Sequence, residues 1–214
     1  MADFQAISEA LKKGKAPLVK ELVNAALAEG VEPEVIVNEA LVVGMGEVGE
    51  LFKNNEIYVP EVLIAARAMN AGLAILEPLL AEKDIQPIGK VAIGTVKGDL
   101  HDIGKNLVGM MLKGAGFGVI DLGIDVSPEQ FIAAVVDQGA DIIGMSALLT
   151  TTMPTMRDTV EAVKAAGLEG KVKVMIGGAP ITQAYADEIG ANGYSPDAAS
   201  AAELAKKLLA DLKA

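Results

Sequence analysis

The chain contains a single histidine, and the residues around it make that histidine a candidate metal ligand. His101 lies two residues after Asp99, in the segment 98–104 between an apolar run and a helical pattern. Imidazole binds metals through one ring nitrogen, and a carboxylate that accepts a hydrogen bond from the other nitrogen fixes the tautomer of the ring. The spacing therefore predicts that His101 ligates a metal while Asp99 holds its second nitrogen.

Two further groups of residues follow apolar runs in the same way. Ser146 and Leu148 follow a second run, and the pair Gly177-Gly178 follows a third. Glycine has no Cβ atom, so a bulky ligand can approach the backbone at such a pair. In an open parallel sheet the carboxyl ends of the strands line the binding crevice, so we expect these groups to face the same ligand as His101.

The elements that must position these groups change in type along the chain. The first part has the 3.6-residue apolar period of helices, and four such segments predict a small bundle. The second of these helices has a predicted buried face of Leu18, Leu22, Val23, Ala26 and Leu27. Beyond a polar stretch with Pro87 and Gly89, strands and helices alternate, which is typical of a parallel sheet covered on both faces. The predicted strands are residues 90–96, 118–122, 141–146, 172–177 and 192–195.

The predicted architecture is an all-α four-helix bundle cap followed by an α/β flavodoxin-like (Rossmann-like) domain with a five-stranded parallel sheet. The predicted domains are residues 1–86 and 87–214. In the flavodoxin-like order the first, third and fourth strands are neighbours. That order would bring the histidine, serine and glycine groups to one crevice.

Composition excludes several classes of function. The net charge of -11 is unfavourable for nucleic acid, because phosphate binding needs clustered lysine and arginine. Without cysteine the chain cannot form a disulfide, a zinc–thiolate site or an iron–sulfur cluster. The longest uncharged stretch, 142–156, is too short to span a membrane, and the N-terminus lacks the pattern of a signal peptide. We expect a cytoplasmic protein that binds neither nucleic acid nor a membrane.

Three motifs together resemble the signature of the cobalamin-binding domains of methionine synthase and the corrinoid methyltransferases. They are Asp99-x-His101-x-x-Gly104 and, further along the chain, Ser146-x-Leu148 and Gly177-Gly178. Segments 45–52 and 58–69 resemble the four-helix cap that precedes the corrinoid domain in that family. The resemblance spans nearly the whole chain, and it implies cobalamin, as methylcobalamin with its cobalt, as the cofactor.

The resemblance also implies roles for individual residues. His101 would be the lower axial ligand of cobalt, Asp99 its hydrogen-bond partner, and Thr152 the hydroxyl that extends this relay, at a position where the family has serine. Phe52 matches a phenylalanine that covers the reactive methyl group, and Val59 stands where the family has a leucine. The further residues expected to bind the cofactor are Gly98, Asp102, Ile103, Gly104, Ser146, Leu148, Thr150, Gly177, Gly178, Ala179, Tyr194, Asp197 and Met69.

By this resemblance the chain would be a corrinoid methyl carrier, a subunit of a multi-component methyltransferase system rather than a complete enzyme. It would bind cobalamin base-off and His-on. Its expected partners are a substrate-specific methyltransferase and a second methyltransferase with a thiol or tetrahydrofolate acceptor, with a reductive activase as a further candidate.

Other functions remain open on the sequence. The corrinoid subunit of an adenosylcobalamin mutase shares the histidine motif, but the helical cap with Phe52 argues against it. A cobalamin-dependent sensor would carry a basic DNA-binding module and a cap tryptophan, and the chain has no tryptophan. A flavodoxin-like interaction module without cofactor would need the matched motifs to be accidental. A phosphate loop at 98–106 has the wrong spacing, and a zinc hydrolase lacks a second histidine or cysteine.

Overall fold

The computed structural model describes residues 3–83 and 85–214 and contains two compact units. The first runs to Ile88 and also includes Gly114–Gly116. The second comprises Gly89–Lys113 and Phe117–Ala214. The first is helical and the second is built on a parallel sheet, as the change in apolar pattern predicts.

The helical unit contains the four predicted helical segments. The third segment is continuous but irregular, because a π-helical stretch at Val37–Leu41 joins two α-helical parts. The helices are α1 (Phe4–Lys12), α2 (Ala16–Ala28), α3 (Pro33–Ile36), α4 (Val42–Lys53) and α5 (Val59–Glu82).

Small residues let these helices pack closely. A Cβ atom added at Gly72 of α5 would lie 3.1 Å from a methyl carbon of Val19 in α2. One at Gly44 of α4 would lie 3.1 Å from the Cα of Ser8 in α1. The Ser8 hydroxyl donates to the carbonyl of Ala40 at 2.8 Å, which satisfies a carbonyl in the π-helical stretch.

The predicted buried face of α2 is wrong in part. Val23 and Ala26 are buried as expected, but Val19 takes the central position and Leu18 is exposed. The physical reason is the approach of Gly72, since a compact β-branched side chain fits the narrow gap that a glycine leaves.

Among the residues that the structure describes, only α5 is long and apolar enough by composition to cross a membrane. Core helices of soluble proteins pass the same test, so the finding is weak evidence. The buried residues of α5 include Val62, Ala65, Met69 and Leu76. These side chains contribute to the core of the helical unit.

The second unit contains five parallel strands in the order β2-β1-β3-β4-β5, which confirms the predicted flavodoxin-like sheet. The strands are β1 (Lys90–Val96), β2 (Gly118–Val126), β3 (Ile142–Ser146), β4 (Lys173–Gly177) and β5 (Gly193–Ser195). The helices are α6 (Ile103–Gly114), α7 (Pro128–Gln138), α8 (Met153–Ala165), α9 (Gln183–Ile189) and α10 (Ala198–Lys213). The neighbours of β1 are therefore β2 on one side and β3 on the other.

Strand β2 is longer than predicted. Glycine is unfavourable inside a strand, so the predicted strand ended at residue 122, directly before Gly123. The strand instead continues to Val126 through shifts in its register with β1, so that Gly94 pairs with Gly123 and Val96 with Val126. A bulge of this kind bends the strand and re-aims its side chains. Asp125 is consequently part of β2, with a positive φ of 55°.

Candidate functional site

Asp99 and His101 lie in the loop after β1 and are hydrogen-bonded to each other. Asp99 is fully buried, whereas the His101 side chain is 52% exposed. Asp99 Oδ1 lies 2.7 Å from His101 Nδ1 and also accepts a hydrogen bond from the His101 amide at 3.1 Å. The carboxylate therefore fixes both the backbone and the ring of the histidine.

The second carboxylate oxygen of Asp99 ties this loop to the loop after β3. Oδ2 accepts hydrogen bonds from the amides of Leu148, at 2.8 Å, and Leu149, at 3.1 Å. It also lies 2.9 Å from the buried hydroxyl of Thr152. A buried carboxylate is stable only when its oxygens are paired in this way.

These contacts determine the charge of Asp99. Burial alone would raise its pKa, but the hydrogen bonds from the His101 ring and from the amides of Leu148, His101 and Leu149 outweigh burial and hold the pKa well below its usual range. Asp99 is therefore an anion that can only accept hydrogen bonds. In a neutral His101 the proton accordingly resides on Nδ1, and the lone pair of Nε2 is available to a ligand.

Thr152 has one hydroxyl proton and two acceptors. Its Oγ1 lies 2.9 Å from Asp99 Oδ2 and 2.8 Å from the Leu149 carbonyl. The hydroxyl has one proton, so it can donate fully to only one of these acceptors at a time. Rotation of the hydroxyl hydrogen can therefore form or release the hydrogen bond to Asp99 while the oxygen stays in place. The structure thus brings together the three residues of the predicted relay, His101, Asp99 and Thr152.

Large apolar side chains are exposed on the two loops that Asp99 joins and at the first residue of α6. Leu100 is 66% and Ile103 is 78% exposed, and Leu148 and Leu149 are also exposed. A concentration of exposed apolar residues on a soluble domain indicates a binding surface. Gly104 adds open space, since an added Cβ atom would meet no atom of the described chain within 4 Å. An apolar surface around a half-exposed imidazole fits a large flat ligand that carries a metal.

Contacts within the protein restrict the two glycines at the end of β4. Gly178 has φ 129°, and an added Cβ atom would lie 1.9 Å from the Ala147 carbonyl oxygen. At Gly177 the corresponding atom would lie 3.1 Å from the Ser195 carbonyl oxygen. Contacts within the protein therefore already require glycine at Gly178, independently of any ligand.

The remaining predicted residues lie at several places. Asp102 and Thr150 are exposed on the loops after β1 and β3, and Ser146 ends β3. Ala179 is exposed after β4, while Tyr194 is half-buried in β5. The Asp197 carboxylate caps α10, where it accepts from the Ser200 amide at 2.8 Å. Phe52 and Val59 are half-buried and Met69 is buried, all in helices of the first unit.

Two residues that contact this loop were not predicted from the sequence. The buried Thr95 donates from its hydroxyl to the His101 carbonyl at 2.9 Å. Asp125 accepts from the Gly98 amide at 2.7 Å and donates from its own amide to the Asp99 carbonyl at 3.1 Å. The signal that could have predicted the role of Asp125 is its position, because an acidic residue near the carboxyl end of a strand adjacent to β1 can reach the loop after β1.

The described residues contain no group of three or more His, Cys, Asp or Glu side chains that could hold a metal ion by themselves. A metal bound to His101 must therefore bring most of its own ligands. A parallel sheet that presents one imidazole, braced by a buried carboxylate and bordered by exposed apolar side chains, is typical of a domain that binds a metal-containing organic cofactor.

The comparisons with known proteins identify the class of that cofactor. Residues 89–203 match the family model described as a B12 binding domain, and residues 4–77 match a second B12 binding domain model. The chain belongs to this family of corrinoid proteins. Cobalamin is its cofactor, as the motifs predict.

Similar proteins cover nearly the whole chain. A corrinoid protein of Desulfitobacterium hafniense is 44% identical over 98% of this chain and 98% of the relative. Dimethylamine corrinoid protein 3 of Methanosarcina acetivorans is 45% identical over 98% of this chain and 100% of the relative. The structure of the methanol:cobalamin methyltransferase complex MtaBC from Methanosarcina barkeri matches with a TM-score of 0.87 and 31% identity, covering 97% of this chain and 79% of that one.

A further solved structure has the same fold. A cobalamin-binding protein from Desulfitobacterium hafniense matches with a TM-score of 0.80 and 31% identity, over 97% of this chain and 99% of that one. The family and the fold are therefore those predicted, a helical part followed by a flavodoxin-like corrinoid domain of methyltransferase systems. The interpretation as a module without cofactor is set aside.

Proposed function

We propose that this chain is a methyl carrier that binds cobalamin base-off with His101 as the lower axial ligand. In this role it receives a methyl group from a substrate-specific methyltransferase and delivers it to a second methyltransferase. The observation that carries the proposal is the 2.7 Å hydrogen bond between His101 Nδ1 and the fully buried Asp99, because it leaves Nε2 free for a metal. When bound, cobalamin supplies a cobalt centre that can accept a methyl group from a donor and yield it to a nucleophile.

Asp99 and Thr152 determine which ring nitrogen of His101 is available to a metal. Asp99 keeps the Nδ1 proton in place, so a neutral His101 offers only Nε2 to a metal. Thr152 supports the carboxylate through Oδ2. The three residues together therefore present a single ring nitrogen, Nε2, to a metal.

The apolar loops exclude water from the ligand surface. Ile103 and Leu148 can cover the face of a flat macrocycle next to His101, and Gly104 leaves room for it. Removal of water favours the bond to the neutral imidazole over competing water ligation. Phe52 and Val59 of the helical unit remain predicted cofactor-binding residues.

The partners are proposed from the relatives. The 45% identity to a dimethylamine corrinoid protein favours methyltransferases that use methylated amines as the first partners to test for methylation of the cofactor. The MtaBC structure makes methanol:cobalamin methyltransferase the second. We propose a methyltransferase with a thiol or tetrahydrofolate acceptor as the receiving partner and a reductive activase as an accessory one.

The experiment is a visible spectrum of the protein reconstituted with methylcobalamin, recorded for the native chain, His101→Ala and Gln138→Ala. Gln138 ends α7 and is exposed, so it serves as the control. We expect a histidine-ligated spectrum from the native chain and the control, and a water-ligated or unbound spectrum from His101→Ala. Identical spectra from all three proteins would overturn the ligand assignment.

A further inference from the structure

Asp125 holds the backbone of the histidine loop from the β2 side of the sheet. Its Oδ1 accepts a hydrogen bond from the Gly98 amide at 2.7 Å, and its own amide donates to the Asp99 carbonyl at 3.1 Å. A hydrogen bond from an amide to a carboxylate is charge-assisted and stronger than a neutral one. One residue therefore contacts the peptide group before Gly98 and the peptide group after Asp99, and Gly98 itself has φ 85°.

The end of β2 is itself fixed to the helix that follows the histidine. Lys105 of α6 has a buried side chain that is paired with Asp121 of β2. Asp121 also accepts from the Gly123 amide at 2.9 Å, which shapes the bend two residues before Asp125. A buried ammonium group requires such a partner, so the pair keeps this end of β2 in place.

The backbone conformation of Asp125 indicates that its position is imposed by its surroundings. Its φ of 55° lies in the left-handed region, which is unfavourable for residues other than glycine and least so for asparagine and aspartate. Residues persist in this region where several contacts determine them together. Here the contacts are with Gly98 and Asp99, in the loop that carries His101.

We propose that Asp125 is a positioning residue for His101, a role that rests on the proposed function of His101 as the cobalt ligand. Strand β1 lies between β2 and β3, so the loop is held from both sides. Thr152 and the amides after β3 fix the Asp99 carboxylate, and Asp125 fixes the backbone that bears it. Without Asp125 the Asp99 carboxylate keeps its partners in the loop after β3, but the Gly98 amide loses its acceptor. The loop backbone can then shift, which weakens the contact between Asp99 and the His101 ring that fixes the orientation of the ring.

Two substitutions separate the carboxylate from the backbone conformation. Asp125→Gly removes the acceptor but accepts a positive φ without strain. Asp125→Asn retains an oxygen acceptor and tolerates the same φ, so it is the conservative variant. Thr182→Ala is the matched control, because it removes the cap of α9, where the hydroxyl accepts from the Tyr185 amide, and leaves the histidine loop untouched.

The first readout is the ¹⁵N spectrum of the imidazole in the protein without cofactor, which distinguishes the two tautomers of the neutral ring. The chain has one histidine, so the spectrum reports His101 alone. We expect one tautomer, protonated at Nδ1, in the native chain, Asp125→Asn and Thr182→Ala. We expect a mixture of both tautomers in Asp125→Gly. An unmixed Nδ1 tautomer in Asp125→Gly would overturn the proposal.

The second readout is the dissociation constant for methylcobalamin, followed by visible absorbance. Loss of a residue that orients a metal-binding histidine weakens metal binding by about tenfold or more. We expect that increase for Asp125→Gly, with the water-ligated spectrum more populated, and values near native for the other two variants. Equal affinity and equal spectra for Asp125→Gly and the native chain would overturn the proposal.

A third measurement does not depend on the glycine variant folding. Gly98 is exposed, so its amide should exchange rapidly with solvent unless the bond to Asp125 protects it. We expect slow exchange in the native chain and in Asp125→Asn, and fast exchange at Gly98 in the native chain would overturn the inference. If the native protein showed the Nδ1 tautomer and a protected Gly98 but no histidine ligation of cobalt, the proposed function would fail while the positioning of the loop by Asp125 stood.

Discussion

Asp99 Oδ2 receives the hydroxyl of Thr152 at 2.9 Å, across the gap between the loops after β1 and β3. The two residues are far apart in sequence, and the sheet order brings their loops together because β1 and β3 are neighbours. The same carboxylate holds the His101 ring through its other oxygen. The buried carboxylate of Asp99 thus links His101, the candidate metal ligand, to the loop after β3 through hydrogen bonds.

Replacement of Asp99 by asparagine should impair both ligand binding and folding. An asparagine has one acceptor oxygen, so its amide group would face the amides of Leu148 and Leu149 or the donor nitrogen of His101. We expect the dissociation constant for methylcobalamin to rise about tenfold or more. Titration by visible absorbance measures this change, with Asp158→Asn on the exposed side of α8 as the control. Equal affinities for the two variants would contradict the role of Asp99.

The hydroxyl of Thr152 should matter more than its methyl group. Thr152→Ser keeps the donor to Asp99, whereas Thr152→Val keeps the shape of the side chain and loses the donor. Loss of a buried hydrogen bond to a charged group should destabilise the fold by about 2 kcal/mol. We expect this loss in urea unfolding of the valine variant and a smaller one for serine. Similar unfolding free energies for the two variants would show that the hydroxyl is dispensable.

Asp99 should also contribute a part of the pH dependence of stability. Its pKa in the folded chain is held below the unfolded value of about 3.9, so the unfolded chain binds more protons as the solution becomes acidic. The stabilisation is therefore complete above the unfolded pKa and is lost as pH falls through the folded pKa.

Urea unfolding of the native chain and of Asp99→Asn across acidic pH measures this contribution by difference, because the other acidic groups cancel. The gap between the two unfolding free energies should be largest near neutral pH and should narrow below about pH 4. Two parallel curves would contradict the lowered pKa of Asp99.

Two glycines allow a structural role to be separated from a ligand-binding role. Gly178→Ala places a methyl group against the Ala147 carbonyl and should destabilise the fold by about 3 kcal/mol. Gly104→Ala meets no described atom, so the unfolding free energy should stay within about 1 kcal/mol of native. We nevertheless expect Gly104→Ala to weaken methylcobalamin binding. Unchanged affinity of this variant would remove Gly104 from the cofactor site.

Much of the fold could be predicted because its signals are local. The predicted strand at 90–96 is observed unchanged, and α7 occupies its predicted range. The latter begins at Ser127 and Pro128 with a capping box and ends at Gly139 in the left-handed conformation, all of which are readable in the sequence. The cofactor was predicted from a family resemblance, which the motif around His101 carries together with Ser146, Leu148 and the pair Gly177-Gly178.

The parts that were missed depend on contacts distant in sequence. The extension of β2 beyond Gly123 follows from a shift in register with β1, which no local pattern reveals. Asp125 consequently was not predicted to contact the loop. The close approach of the Ala147 carbonyl to Gly178 was likewise not predicted, because Ala147 lies on another loop.

The most direct test of His101 as the axial ligand uses the single histidine of the chain. Protein made with ¹⁵N-labelled histidine and loaded with cobalamin, then reduced to Co(II), gives an electron paramagnetic resonance spectrum whose splitting reports the axial nitrogen. Ligation by His101 predicts three-line nitrogen splitting in unlabelled protein and two-line splitting in labelled protein, because ¹⁴N and ¹⁵N differ in nuclear spin. Splitting that stays at three lines after labelling, or the absence of nitrogen splitting, would contradict ligation by His101.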